Sequence, residues 1–435
     1  MKITFLGAGS TVFVRNVLGD VMVTDVLRDS DIALYDIDPE RLEDSYLMLS
    51  NINHNANSDR AKLSKHCGLE ELEAALEGAD FVINAIQVGG YEPSTVIDFE
   101  VPKEFGLRQT IADTLGIGGI FRTLRTIPVM ETFARAMEKV CPDAWFLNYT
   151  NPMAMLTGYM LRYTKIKTVG LCHSVQAAVP MLLRSLDMEY TDEIQWKIAG
   201  INHMGWLLEV TKDGEDLYPE IKRRSLEQGY PAWDKVRHEM MHRFGYYVTE
   251  SSEHNAEYHP YFIKSTHPEL IEQFNIPLDE YPRRCVNQIA DWKKTRESLT
   301  QNPDLSHDRT HEYASYIMEA MVTNKPFKIG GNVLNTGLIT NLPQKACVEV
   351  PCLVDASGVT PTYVGDLPEI LASLNRTNIN PQLLTIEAAV ERSKEKVYHA
   401  AYLDPHTASE LSLEEIQAMC DRLFEAHGDW LPEYS

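Results

Sequence analysis

The chain opens Met1-Lys2-Ile3-Thr4-Phe5-Leu6-Gly7-Ala8-Gly9-Ser10-Thr11, and no other stretch restricts its fold so strongly. A short apolar run, a Gly-x-Gly turn and an amphipathic stretch from Thr11 through Val23 describe a strand, a tight turn and a helix. Gly7 and Gly9 let the backbone reverse sharply and present helix-start amides to a pyrophosphate. Val12 stands where the third glycine of the dinucleotide fingerprint would be, which loosens helix–strand packing but not phosphate contact. Ile32–Tyr35 reads as a second strand ending at Asp36, a carboxylate placed to accept hydrogen bonds from a ribose diol and to favour NAD over NADP. Asn84, at the end of a later strand over Phe81–Ala85, lines the same crevice. Gly7, Gly9, Ser10, Asp36 and Asn84 are therefore the expected cofactor contacts.

Up to about Gly170, apolar runs alternate with amphipathic stretches, as a doubly wound parallel sheet requires. Trp145–Leu147 and Thr168–Gly170 read as further strands, and Phe121 to Val140 carries helical spacing. Beyond residue 190 the alternation fades. Trp196–Ile201 and Trp206–Val210 read as strands with a hairpin signal at Asp213-Gly214, followed by helices at Arg283–Asn302 and Glu312–Thr323. Lys328–Leu338 and Ala346–Leu353 form another strand pair, and the segment from Pro368 is mostly helical. A chain of 435 residues exceeds the usual single core. The expectation is an α/β protein of lactate/malate dehydrogenase type. Residues 1–195 form a Rossmann-like NAD-binding domain, and residues 196–435 an α+β domain for substrate binding and oligomerisation.

The net charge of −23 repels nucleic-acid phosphates and anionic lipid, and no basic run offsets it. No segment approaches ~20 uninterrupted apolar residues, so no membrane span is expected. Met1-Lys2 runs at once into a strand-like segment, without an apolar signal region. The seven cysteines are scattered and none forms a C-x-x-C pair. Reduced thiols in the cytoplasm suit that pattern better than a disulfide framework.

Cys172, after a strand, and His203, after another, offer a thiolate and an imidazole that can hold a divalent cation and leave positions open for substrate oxygens. Each also has an ordinary reading, as a small buried hydrophobe and as a satisfied polar group. Thiolate softness points to zinc before manganese.

With these motifs in place, the sequence resembles glycoside hydrolase family 4, the NAD- and metal-dependent glycosidases. The resemblance runs through the Gly-x-Gly-Ser opening, Asn148-Tyr149-Thr150-Asn151-Pro152, Cys172-His173-Ser174-Val175, Asn202-His203, and Asn335-Thr336-Gly337-Leu338-Ile339 to Val348-Glu349-Val350-Pro351. Cys-His-Ser-Val and the segment Glu250 to Phe262 (ESSEHNAEYHPYF) look like the α-galactosidase branch. The resemblance implies a redox-neutral route distinct from the two-carboxylate scheme. Sugar C3 is oxidised, C2 is deprotonated, the glycosidic oxygen leaves C1, water adds, and C3 is reduced again. It implies NAD and Mn²⁺ as cofactors, Cys172 and His203 as metal ligands, and Asn151 with Asn148 as substrate contacts. His173 takes the place of the acid that protonates the leaving oxygen, and Asp113 that of the carboxylate assisting the base. The base departs from the pattern: no Tyr matches cleanly, Tyr246, Tyr247 and Tyr258 flank the position, and Glu253 and His254 are capable substitutes. Glu253 is the expected base.

The implied substrate is a small α-galactoside such as melibiose, and the implied assembly a homodimer or homotetramer. An α-glucosidase or a uronic-acid α-glycosidase is the nearest alternative. A hydroxy-acid dehydrogenase would leave Cys172 and His203 idle, and an NAD-sensing protein would not need them.

Overall fold

A computed structural model describes residues 1–435. Its frame is one sheet of twelve strands: β1 (Lys2–Leu6), β2 (Asp31–Asp36), β3 (Lys62–Cys67), β4 (Phe81–Asn84), β5 (Trp145–Asn148), β6 (Lys167–Leu171), β7 (Ile194–Ile201), β8 (Met204–Lys212), β9 (Glu215–Asp216), β10 (Phe327–Leu334), β11 (Cys347–Asp355) and β12 (Gly358–Pro361). The first six are parallel in the order β3-β2-β1-β4-β5-β6, the dinucleotide-binding arrangement. The sheet then continues without a break. β6 pairs antiparallel with β10, and β11, β7, β8 and β9 follow, with β12 on the side of β11. The two halves expected from the sequence are thus joined by a shared sheet, not only by a packed interface.

The helix after the glycine turn runs Thr11–Val23, and the long buried helix runs Gly116–Val140. The Asp213-Gly214 hairpin closes β8 onto β9 with both residues at positive φ, as a two-residue turn of this twist needs. β3, KLSKHC, escaped the sequence reading because it is a sheet edge. Its residues are half-buried or exposed and largely polar, so no apolar run marks it.

The hydrophobic core runs from Ile3 in β1 to Leu431 near the C-terminus and includes Leu423 in the helix Leu413–His427. A satellite core under the β7–β8 hairpin includes Val175, Leu182, Ile198, Leu207 and Tyr247. No helix is long and apolar enough to cross a membrane.

One register row crosses the join: Asn84, Asn148, Gly170, Asn332, Glu349 and Gly200 are successive neighbours from β4 to β7. Gly170 has no room for a side chain, since a Cβ there would stand 2.5 Å from Thr157 Oγ1 and 2.8 Å from Asn332 Cβ. The row sets the depth at which the functional residues emerge, because Cys172 follows β6 and His203 turns between β7 and β8.

Candidate active site

The glycine turn has the geometry its sequence requires. Gly7 has φ +87°, and a Cβ on it would lie 2.7 Å from Ala85 O. Gly9 donates its N–H to Asp36 Oδ2 at 2.6 Å, and Asp36 Oδ1 accepts from Asp38 N–H at 2.9 Å. Asp36 thus braces the turn while remaining half-buried at the tip of β2. Ser10 precedes the helix without a side-chain cap, and the first-turn amides, which have no intrahelical partners, face the phosphate position of such folds. These residues fit a dinucleotide.

Asn84 and Asn148 are register neighbours at the ends of β4 and β5. Both are fully buried. Asn84 Nδ2 donates to Asn148 Oδ1 at 2.9 Å and to Thr150 Oγ1 at 3.1 Å, while Asn148 Nδ2 donates to Thr150 O and Thr157 Oγ1, both at 3.1 Å. The Asn84 Nδ2 group and the Asn148 amide lock the tips of β4 and β5, while Asn84 Oδ1 is a buried acceptor without a protein partner. Asn151 is half-buried, and its Oδ1 is a buried acceptor without a protein partner. An unsatisfied buried acceptor of this kind suits a sugar hydroxyl.

Cys172 and His203 converge, and the structure adds Glu250. The three donor atoms all lie within 4.8 Å of one another. Glu250 Oε2 is 3.3 Å from His203 Nε2 and 4.0 Å from Cys172 Sγ. His203 Nδ1 and the buried Tyr258 hydroxyl are 3.1 Å apart. With Nε2 facing the triad, Nδ1 donates to that hydroxyl, which fixes ring and tautomer as metal-binding histidines need. Tyr258 therefore stands behind the ligand. Tyr247 is buried with its hydroxyl donating to Asp234 Oδ2 at 2.5 Å, and Tyr246 packs edge-on to Tyr218.

A thiolate, an imidazole and a carboxylate form an open three-ligand set that suits a divalent cation. Burial, with the charges of Glu250 and Glu349, pushes the Cys172 thiol well up, so a cation must displace its proton. Burial opposes ionisation of Glu250, yet the charges of His203, His254 and Arg237 hold it below the usual carboxylate range.

Backbone strain collects here. His203 has φ +63°, Glu250 +68°, and Ala112, beside Asp113, +51°. Non-glycine residues in the left-handed region each cost about 1 kcal/mol or more and persist where the surroundings impose them. Two such constraints are visible. Glu349 in β11 is buried and accepts from Asn202 Nδ2 at 3.2 Å and Asn332 Nδ2 at 2.9 Å, anchoring the residue before His203. Glu257 accepts from the amides of Thr110 and Ala112, both at 2.8 Å, and so fixes the approach to Asp113. Burial pushes Glu257 up to about 7 against the pull of those amides.

Asp113 is buried and lies 3.7 Å from His254 Nε2. Burial works against its charge, but His254, Arg122 and His203 together hold its carboxyl well below the usual range. His254 in turn meets Ser251 Oγ through Nδ1 at 2.7 Å, lies 3.7 Å from Glu250 Oε1, and packs edge-on to His203 with ring centroids 5.0 Å apart. Glu253, the expected base, is not part of this group: its carboxylate is paired with Arg284, on the helix Glu280–Thr300. On the short helix Ser252–Tyr258, rotation by a single residue separates the two, and it is His254 that turns inward.

His173 follows Cys172 at the end of β6. Its Nε2–H donates to Glu312 Oε2 at 2.6 Å, and Tyr149 donates its hydroxyl to Glu312 Oε1 at 2.9 Å. Burial lowers the imidazole's proton affinity, but the Glu312 hydrogen bond and charge outweigh it and raise His173 above its ordinary value. Phe13, in the first turn of the Thr11–Val23 helix, has its ring centroid 6.3 Å from that of His173, so this group borders the nucleotide crevice.

Glu250, Glu312 and Glu257 had no reading from sequence. Glu250 belongs to the segment that carried the branch resemblance, but nothing local separates it from Glu253. Glu349 carried a usable sign, as a lone charge within the apolar run Ala346–Leu353.

Comparison with known proteins agrees along the whole chain. The model of the family 4 glycosyl hydrolases matches residues 2–188, and that of the family 4 glycosyl hydrolase C-terminal domain matches residues 198–407. An α-galactosidase of Bacillus subtilis (strain 168) is 65% identical over 434 residues, covering 100% of this chain and 99% of its own length. An α-galactosidase of Rhizobium meliloti (strain 1021) is 31% identical over 449 residues, with coverages of 100% and 90%. The fold matches a Thermotoga maritima 6-phospho-β-glucosidase solved with manganese, NAD⁺ and glucose-6-phosphate, at a TM-score of 0.80, 21% identity and full coverage of both chains. The chain belongs to glycosyl hydrolase family 4.

Proposed function

We propose that the protein is an α-galactosidase that cleaves small α-galactosides such as melibiose by a redox-neutral, NAD- and Mn²⁺-dependent route. The observation that carries this reading is the Cys172–His203–Glu250 donor set, accompanied by the imidazole–carboxylate pairs His254–Asp113 and His173–Glu312, of which the second borders the dinucleotide crevice. The 65% identity to an α-galactosidase supports the choice of sugar. Gly7, Gly9, Ser10 and Asp36 hold the dinucleotide, and Cys172, His203 and Glu250 hold the cation. When bound, NAD supplies a hydride acceptor and donor for sugar C3, and the cation supplies positive charge for an enediolate across C2 and C3.

The chain's own groups do the proton work. His254, backed by Asp113, takes the place assigned to Glu253 and removes the C2 proton made acidic by the C3 ketone. His173 protonates the departing glycosidic oxygen, and Asn151 Oδ1 accepts from a sugar hydroxyl. The protein acts in the cytoplasm as a homo-oligomer. The helix Glu280–Thr300 is consistent with assembly, because its apolar Val286 and Ile289 are exposed on the single chain.

The test is turnover of an α-galactoside in deuterium oxide, followed by proton NMR of the released galactose. Deuterium at C2 with no net change in NAD⁺ is expected. Full retention of the C2 proton, with activity independent of NAD⁺ in enzyme stripped of cofactor, would overturn the route.

A further inference from the structure

We propose that Glu312 is a positioning residue for leaving-group protonation: it fixes the tautomer and ring orientation of His173, and the strap that carries it is tied to the nucleotide-binding helix through Asp20. The inference rests on the reading of His173 as the acid.

Glu312 is almost buried and uses both carboxylate oxygens, one on His173 Nε2 and one on the Tyr149 hydroxyl. His173 Nδ1 has no protein partner, and the side chain is 55% exposed. The arrangement commits Nε2–H to Glu312 and leaves Nδ1 as the proton-bearing atom on the open side. The rings of Tyr149 and Tyr313, each centred 5.8 Å from the imidazole, restrict its rotation. As the C1–O bond breaks, its electron pair passes to the glycosidic oxygen, which takes the Nδ1 proton. His173 is left neutral with Nε2–H still donated to Glu312.

What holds Glu312 is a second observation. Its N–H donates to Thr310 Oγ1 at 3.1 Å. Thr310 donates from N and Oγ1 to the two oxygens of Asp20 at 2.8 and 2.7 Å, and His307 Nε2 lies 2.7 Å from Asp20 Oδ1. Asp20 is fully buried on the Thr11–Val23 helix. The fit is close: a Cβ on the neighbouring Gly19 would stand 2.7 Å from the His307 ring. The strap from His307 to Glu312 is therefore registered against the helix that begins at the glycine turn.

Leaving groups of different basicity separate positioning of an acid from a merely structural role. A 2,4-dinitrophenyl α-galactoside needs no acid help at C1, whereas melibiose does. Glu312→Ala should lower kcat on melibiose about 10–100-fold, the usual cost of losing a group that orients a functional histidine, and on the dinitrophenyl substrate less than about threefold. Glu312→Gln keeps an acceptor for Nε2–H and should recover part of the loss. Asp20→Asn, which leaves His173 and Glu312 in place, should show the same leaving-group dependence in weaker form. Combining His173→Ala with Glu312→Ala should cost no more than His173→Ala alone. Equal losses on both substrates, or additive losses in the double variant, would overturn the role of Glu312. Those outcomes are distinct from failure of the parent reading, which would appear in the wild type as an unexchanged C2 proton. Unchanged NAD⁺ affinity checks that each variant is folded.

Discussion

Replacing Glu250 by Gln tests the donor triad most directly, because size and one carbonyl acceptor survive while the charge is lost. With donor atoms no more than 4.8 Å apart, a cation centred in their plane lies at most about 2.8 Å (4.8/√3) from each. At an effective dielectric constant of about 20, a divalent cation and a unit negative charge at that distance attract by about 12 kcal/mol. Desolvation of both ions cancels much of this. A floor comes from groups that only support a metal ligand, whose loss costs about 10–100-fold in affinity. A direct anionic ligand must exceed that floor, so Mn²⁺ affinity should fall by more than about 100-fold, or about 3 kcal/mol.

The proton balance gives an independent signature. The Cys172 thiol is held well above its ordinary value by burial and then by Glu250 and Glu349. Cation binding near neutrality therefore releases the Cys172 proton, which adds about one to the rise of log K per pH unit, with affinity lost as pH falls. Glu250 is already ionised there and adds no proton. Glu250→Gln should drop the whole line while keeping its slope, whereas Cys172→Ser should lower the slope by about one. Calorimetric titration with Mn²⁺ across about pH 6–8, with NAD⁺ bound, measures both. A loss under tenfold in Glu250→Gln, or an unchanged slope in Cys172→Ser, would refute the assignment.

Gly7→Ala places a Cβ 2.7 Å from Ala85 O and 2.9 Å from Ala85 C, both backbone atoms, at φ +87°. It should cost about 2–4 kcal/mol, read as a lower Tm and at least tenfold weaker NAD⁺ binding. NADP⁺ should bind more weakly than NAD⁺, because its 2′-phosphate meets the Asp36 carboxylate, and a comparison of dissociation constants decides it. His254→Ala should slow deuterium entry at sugar C2 about 100-fold or more with cofactor affinities retained, while Glu253→Gln stays within about threefold; the reverse order would restore Glu253 as the base.

The sequence disclosed what local chemistry controls. A strand, a Gly-x-Gly turn and a helix lie within residues 2–23, so their pattern survives in a single window, and Asp36 ends the next strand. Cys172 and His203 were readable because each follows a strand in a short motif. The remainder depends on pairings that no window contains. β6 meets β10 from across more than 150 residues of chain, at Leu171 opposite Gly331, and this antiparallel join turns two expected domains into one sheet. Glu312 reaches His173 across 139 positions, and its neighbourhood resembles any solvated helix start. Glu250 and Glu253 look interchangeable in a row of polar residues. A positive φ at Glu250 and the start of a short helix turn one carboxylate to His203 and the other to Arg284. Glu349 and Asn332 are the instructive exceptions, polar side chains inside otherwise apolar strands. A buried polar group in such a run costs free energy unless something nearby requires it, and here Asn202 requires it, holding the turn that aims His203 into the triad.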